Sequence, residues 1–264
     1  MPDRLLQGQL ILNTRPTHQQ AELTSLLQQE GAQILSFPVI DIVPIESSLI
    51  RQRLAQQISS YDILLFVSRN AVDGAFRYLD RSRLKPGVRF GVIGTATRIA
   101  LAEQIDNLDS CLLAAAPYNS DTLLEVDVLQ KVEGKRVLIL RGQQGRSLLG
   151  DELVVRGAEV DYCEVYRRQL PSCDVTDFDH LVANAFPTLV ILTSNAGMQN
   201  LIELVDAVTA ERLRRIPWLL ISERMRESAL KLGHNAAVLI AQSASDNGIR
   251  QTICEWADQR YKQV

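Results

Sequence analysis

The sequence predicts an α/β protein whose parallel sheets are covered by helices on both faces. Three observations carry this. Nine short aliphatic runs alternate with helix-length segments along 264 residues. The apolar fraction of 46% rests on Ala, Leu, Val and Ile, with aromatics at only 5%. The whole pattern also recurs at a spacing near 126 residues. Continuous aliphatic runs are what strands buried on both faces look like, and strands alternating with helices build parallel sheets.

The first run is Leu10–Thr14, and an amphipathic helix follows from about Gln19 to Glu30. Gly31 stops it, because glycine takes the left-handed conformation that ends helices. Further runs are Ile34–Phe37, Ile63–Val67, Arg89–Ile93, Cys111–Ala115, Arg136–Leu140, Leu189–Thr193, Trp218–Ser222 and Ala237–Ala241. Arg15 and Arg141, Gly31-Ala32 and Gly157-Ala158, and Phe66-Val67-Ser68 and Leu192-Thr193-Ser194 are each 126 positions apart. Several coincidences at one offset mark two related α/β halves.

Two stretches break the rhythm, Phe37–Pro44 and Val160–Arg168. Both read as extended and occupy matched places in the repeat. If they pair, residues 38–44 and 160–168 form a two-stranded inter-domain linker. Residues 1–37 with 169–264 are then one discontinuous α/β domain, and 45–159 an inserted one, both of ordinary size. The alternative is a cut near residue 130 into consecutive halves.

Composition excludes several classes. A net charge of −3 and a pI near 5.7 give no general field for nucleic acid. No apolar run reaches the ~18–20 residues that span a membrane, and Met1–Gln7 lacks a signal-peptide pattern. Cys111, Cys163, Cys173 and Cys254 are far apart, as isolated thiols of a cytoplasmic protein would be. Three scattered histidines offer no zinc spacing, so no protein-held metal is expected. The phosphate-binding GxxxxGK[ST], the dinucleotide GxGxxG and the hydrolase GxSxG are all missing.

Ligands of open parallel sheets bind beyond the carboxyl ends of the strands. Here those ends carry Thr14-Arg15, Ser68-Arg69-Asn70, Gly94-Thr95-Ala96-Thr97, Arg141-Gly142, Gly145-Arg146, Ser194-Asn195-Ala196 and Ser222-Glu223-Arg224. Each Ser, Thr or Asn is explained by helix capping alone. Taken together with arginines at matched strand ends, the set points to a ligand bearing several carboxylates or phosphates.

In order and spacing, these residues resemble the uroporphyrinogen-III synthase family over nearly the whole chain. The resemblance rests on Leu12-Asn13-Thr14-Arg15-Pro16, Leu26-Leu27 with Gly31-Ala32, Tyr61–Val72 and Val92–Thr97. Leu140-Arg141-Gly142 with Gly145-Arg146, Gly157–Val160, Val165–Arg168, Ile191–Ala196 and Ala241 with Ala244-Ser245-Asp246 complete it. It implies two flavodoxin-like domains joined by a two-stranded β linker. It implies a cytoplasmic, monomeric lyase of porphyrin biosynthesis that dehydrates and cyclises hydroxymethylbilane, inverting the last pyrrole ring, with no cofactor or metal and no nucleic-acid or membrane partner.

Tyr166 and Thr97 match the family's catalytic positions. Arg15, Ser68, Asn70, Ala71, Gly94, Thr95, Arg141, Gly142, Ser194, Asn195, Ala196, Ser222 and Arg224 match substrate-binding ones. Ser222-Glu223-Arg224 departs from the glycine-rich turn common there. The competing expectations are a non-catalytic tetrapyrrole or anion sensor on the same fold, and a nucleotide-dependent enzyme.

Overall fold

The computed structural model describes residues 5–143, 145–172 and 175–262. Met1–Arg4, Gln144, Cys173, Asp174, Gln263 and Val264 lie outside the described residues. The chain divides into two compact units, Met1–Asp41 with Gln169–Val264, and Ile42–Arg168.

Among the described residues eleven strands form two sheets. They are β1 (Leu10–Asn13), β2 (Gln33–Ser36), β3 (Asp41–Pro44), β4 (Ile63–Phe66), β5 (Arg89–Val92), β6 (Leu112–Leu113), β7 (Arg136–Gly142), β8 (Glu159–Gln169), β9 (Leu189–Ile191), β10 (Trp218–Leu220) and β11 (Val238–Ile240). The five-stranded sheet runs β11-β10-β9-β1-β2, with every pairing parallel. The six-stranded sheet runs β3-β8-β7-β4-β5-β6. Its pairings from β8 through β6 are parallel too.

The orders β6-β5-β4-β7-β8 and β11-β10-β9-β1-β2 are the same arrangement. The 126-residue offset maps β1 onto β7, β2 onto β8 and β4 onto β9. The five-stranded sheet therefore takes three strands from the second copy and two from the first, and the six-stranded sheet four from the first, β3 included, and two from the second.

Strand alternation fixes what each face buries. In the six-stranded sheet, Leu64, Phe66, Leu138, Leu140 and Val92 face one core with Leu54, Ala71, Val72, Ala75 and Leu101. Ile63, Leu65, Val137 and Ile139 face the other, against Leu123, Leu129, Leu149 and Leu153. In the five-stranded sheet, Ile11, Leu189, Ile191 and Leu219 pack on Leu23, Leu27, Ile249 and Ile253. Each fully buried Leu or Ile contributes roughly 1.5–3 kcal/mol.

The helices end as their sequences direct. Gly31 and Gly157 adopt φ of 96° and 84°, the left-handed geometry expected where the helices Ala21–Gln29 and Leu148–Val155 stop. Ser68, Ser194, Ser222 and Ser245 each cap a helix through the side-chain oxygen.

The extended stretches behave differently from one another. Val160–Arg168 lies within the 11-residue β8, which pairs with β7 as well as β3. Within Phe37–Pro44 only Asp41–Pro44 is strand. Phe37 and Val39 instead donate their N–H groups to the carbonyls of Asn13 and Thr14, and the Phe37 ring meets Phe178 edge-on at 4.9 Å.

Candidate functional site

Strand order reverses once in each sheet. In the six-stranded sheet β5 and β6 lie on one side of β4, and β7 and β8 on the other. The connections diverge at such a point and leave a crevice beyond the strand ends. The carboxyl ends of β4 and β7 carry Val67-Ser68 and Arg141-Gly142. A cavity of about 360 Å³ opens there, lined by Ser68, Ser120, Arg141, Gly142, Gln143, Arg146, Tyr166 and Arg168 among others.

Tyr166 reaches this cavity because of an irregularity. Arg141 pairs with Glu164, but Gly142 pairs with Tyr166, so Val165 is an extra residue on β8. A bulge re-aims the side chain that follows it. The Tyr166 ring then lies directly on Gly142. A Cβ there would stand 2.6 Å from Tyr166 Cζ, so only glycine permits the contact. The Tyr166 carbonyl accepts from Gln143 N–H at 2.8 Å. Its hydroxyl is 3.1 Å from Ser68 Oγ, which accepts from Ala71 N–H at 3.2 Å. Tyr166 is 4% exposed, belongs to the buried core and lines the cavity.

Arg141 is held through both terminal nitrogens, while its Nε is buried without a partner among the described residues. Its guanidinium donates to Glu164 Oε1 at 3.1 Å and to the carbonyls of Gly145 and Arg146 at 3.2 and 3.3 Å. It also lies 3.9 Å from the centroid of the Tyr162 ring. Burial raises the Tyr162 pKa, and its hydroxyl donates to the Ser147 carbonyl at 3.1 Å. Arg141 and Tyr162 thus fix the loop that carries Arg146.

The remaining sequence-derived residues of this unit sit apart from the cavity lining. Ala71 supplies an N–H to Ser68, and Asn70 is buried in the same helix turn. Gly94 caps the helix Thr95–Ala102 without a side chain, Thr95 is exposed, and Thr97 is buried on that helix.

The other unit has the matching reversal between β1 and β9. Arg15 forms an ion pair with Asp246, both mostly buried, so its charge is balanced within the protein. Thr14 Oγ1 donates to the Ile191 carbonyl at 2.6 Å. Ser194 accepts from Gly197 N–H at 3.0 Å, and Ser222 from Met225 N–H at 3.4 Å. Ala196 and Arg224 are exposed. Asn13 Nδ2 and Asn195 Oδ1 are buried without partners among the described residues.

Arg168 was absent from the sequence-derived set because it lies in a presumed linker. Arg146 was noticed only as one of several strand-end arginines. Its spacing from β7 does not reveal that Arg141 is paired with Glu164 while Arg146 makes no ion pair among the described residues. Among the described residues no cluster of three His, Cys, Asp or Glu stands together. Cys111, Cys163 and Cys254 are free thiols.

The uroporphyrinogen-III synthase HemD family model matches residues 21–249. The chain belongs to the uroporphyrinogen-III synthase family. The family places it in tetrapyrrole biosynthesis, among the cyclising lyases. The uroporphyrinogen-III synthase of Salmonella typhimurium is 32% identical over 250 residues, covering 92% of this chain and 99% of the relative. That of Escherichia coli is 32% identical over 249 residues with the same coverage. A mutant uroporphyrinogen III synthase from Thermus thermophilus superposes with a TM-score of 0.61 at 14% identity, covering 96% of this chain and 100% of that one. The Helicobacter pylori enzyme gives 0.62 at 13%, covering 94% and 99%. At these identities the likeness to the two solved structures is one of fold.

Proposed function

We propose that this protein converts hydroxymethylbilane to uroporphyrinogen III, with Tyr166 delivering the proton that releases water. The observation that carries the proposal is the Tyr166 hydroxyl, set at the strand-order reversal of one sheet in a cavity walled by arginine. Hydroxymethylbilane must lose its terminal hydroxyl as water, which needs a proton donor. The electrophilic azafulvene that remains is attacked by the electron-rich substituted carbon of the last ring. The resulting spiro centre fragments and recloses with that ring inverted. The substrate supplies most of the reactivity, and the protein contributes orientation and exclusion of direct closure.

A phenol is protonated at neutral pH and suits donation to a departing hydroxyl. Ser68 Oγ accepts from Ala71 N–H, and in this proposal its own hydroxyl hydrogen is donated to the Tyr166 oxygen, leaving the phenolic hydrogen for the substrate. Such chains strengthen each member. The matched strand-end groups Arg15, Ser194, Asn195 and Ser222 serve substrate carboxylates in this proposal, and Thr97 supports the helix start at Gly94. No cofactor takes part.

The proposed protein is a cytoplasmic monomer that engages neither nucleic acid nor membrane. A net charge of −3 offers polyanions no general attraction. Among the described residues no helix is long and apolar enough to cross a membrane. The helix Asp246–Tyr261 buries Ile249, Ile253 and Ala257 in the core of its own unit.

Isomer analysis of the product tests the proposal. Purified protein with hydroxymethylbilane and no additive should give the type III isomer, whereas unassisted closure gives type I. Tyr166→Phe should lower kcat by about 10²–10⁴, the range for a lost general acid, at a stability cost near 1 kcal/mol for one hydrogen bond. Type I product alone would overturn the activity, and undiminished turnover by Tyr166→Phe would overturn the proton donor.

A further inference from the structure

We infer that Arg146 and Arg168 form a two-pronged carboxylate grip beside Tyr166, holding the acetate and propionate of a single pyrrole ring. This inference rests on the proposed function and specifies which residues bind. Three arginines line the cavity, and no aspartate or glutamate does. That balance is unusual on a protein with a net charge of −3.

The three arginines are not equivalent. Arg141 is spoken for by Glu164, two loop carbonyls and the Tyr162 ring, and its side chain is 14% exposed. Arg146 and Arg168 are exposed and make no ion pair among the described residues. Two guanidinium groups with no counter-charge in one cavity repel each other until an anion joins them. A guanidinium fork matches a carboxylate with two parallel hydrogen bonds.

Their placement is built into the fold. Arg168 is two residues beyond Tyr166 on β8, and strand alternation puts both on one face. Arg146 is held from the other side, because Arg141 binds the carbonyls of Gly145 and Arg146 itself. Gly145 is glycine for the same reason, since a Cβ there would lie 2.9 Å from Arg141 Cδ. Arg141 is thus a positioning residue, and the two free arginines face the substrate.

Size decides how much of the substrate enters. The cavity of about 360 Å³ lies at the small end of the ~300–1,000 Å³ typical of ligand sites. That holds one ring with its two acidic side chains and not a chain of four. An acetate and a propionate on adjacent ring carbons present two carboxylates of unequal reach, matching one prong on a loop and one on a strand.

Steady-state kinetics on Arg146→Gln, Arg168→Gln and the double variant test the grip. Each single change should raise KM for hydroxymethylbilane about tenfold with kcat within threefold, and the double about fiftyfold or more. Arg168→Lys should recover part of the loss. A monopyrrole bearing one acetate and one propionate should inhibit the native enzyme competitively and lose that inhibition in both Gln variants. Arg83→Gln, an exposed charge away from the cavity, should leave KM unchanged. Unaltered KM and inhibition in both variants, with native protein still producing the type III isomer, would overturn the grip alone. Native protein that produces no type III isomer would overturn the function beneath it.

Discussion

Gly142→Ala is the sharpest test of how Tyr166 is positioned. The added methyl would stand 2.6, 2.7 and 2.9 Å from Cζ, Cε2 and the hydroxyl oxygen of Tyr166. Ordinary contact begins at 3.4 Å, so the ring must retreat by about 0.8 Å. It has little room, because Tyr166 belongs to the buried core with Val165, Cys163 and Leu140. Overpacking of this kind costs about 1–3 kcal/mol. The Ser68 hydrogen bond, already at 3.1 Å, does not survive such a shift. Misplacing a reacting group by about 1 Å costs about 10²-fold in rate. Turnover of hydroxymethylbilane should therefore fall about 10²-fold at temperatures well below unfolding, as checked by thermal denaturation. Added to Tyr166→Phe, the same alanine should cost little more, because both act through one hydroxyl. Native turnover in Gly142→Ala, or multiplying losses in the double variant, would refute the positioning.

Two further outcomes concern stability. His234 is 3% exposed, stacked on Trp218 with centroids 4.3 Å apart, and burial lowers its pKa. The unfolded chain takes up the proton near 6.5 while the folded one resists it, so this contribution is present above that pH and lost as pH falls below it. Urea midpoints should drop from pH 7.5 to 5.5, and drop less in His234→Phe; equal drops would assign the effect elsewhere. Arg15→Met and Asp246→Asn should each cost about 3 kcal/mol, the low end for breaking a buried pair, and together less than the sum. Additive losses in denaturant titrations would show the pair uncoupled.

The strands were readable in the sequence because β4, β7 and β9 are buried on both faces and carry unbroken aliphatic runs. The glycine stops and serine caps were readable because each satisfies local backbone geometry. Which strands share a sheet was a different matter. The 126-residue repeat by itself leaves a cut near residue 130 open, and only the pairing of β1 with β9, with β2 on the far side of β1, joins the copies in one sheet, since pairing depends on long-range packing. Cys111–Ala115 shrinks to the two-residue edge strand β6. The site was legible at Ser68, Arg141, Gly142 and Tyr166, where strand ends and family spacing coincide. It was not legible at Val165, because a bulge is a property of register between strands. Arg146 stood out only as one of several strand-end arginines, and Arg168 not at all, because the pairing of Arg141 with Glu164 is a matter of tertiary contact.

The exchange of strands between the two repeat copies sets an order of assembly. Residues 42–168 are contiguous, so their sheet is complete once the ribosome has released that stretch. The other sheet starts with β1 and β2 but must wait for β9, and the bond from Leu10 to Thr188 closes a separation of 178 residues. Until then Ile11 and Leu12, both fully buried at the end, stay uncovered on one flank. A nascent chain halted after residue 168 should hold one finished lobe and a sticky amino-terminal strand–helix–strand unit with parallel strands, which makes that arrest point the place where a chaperone would be needed most.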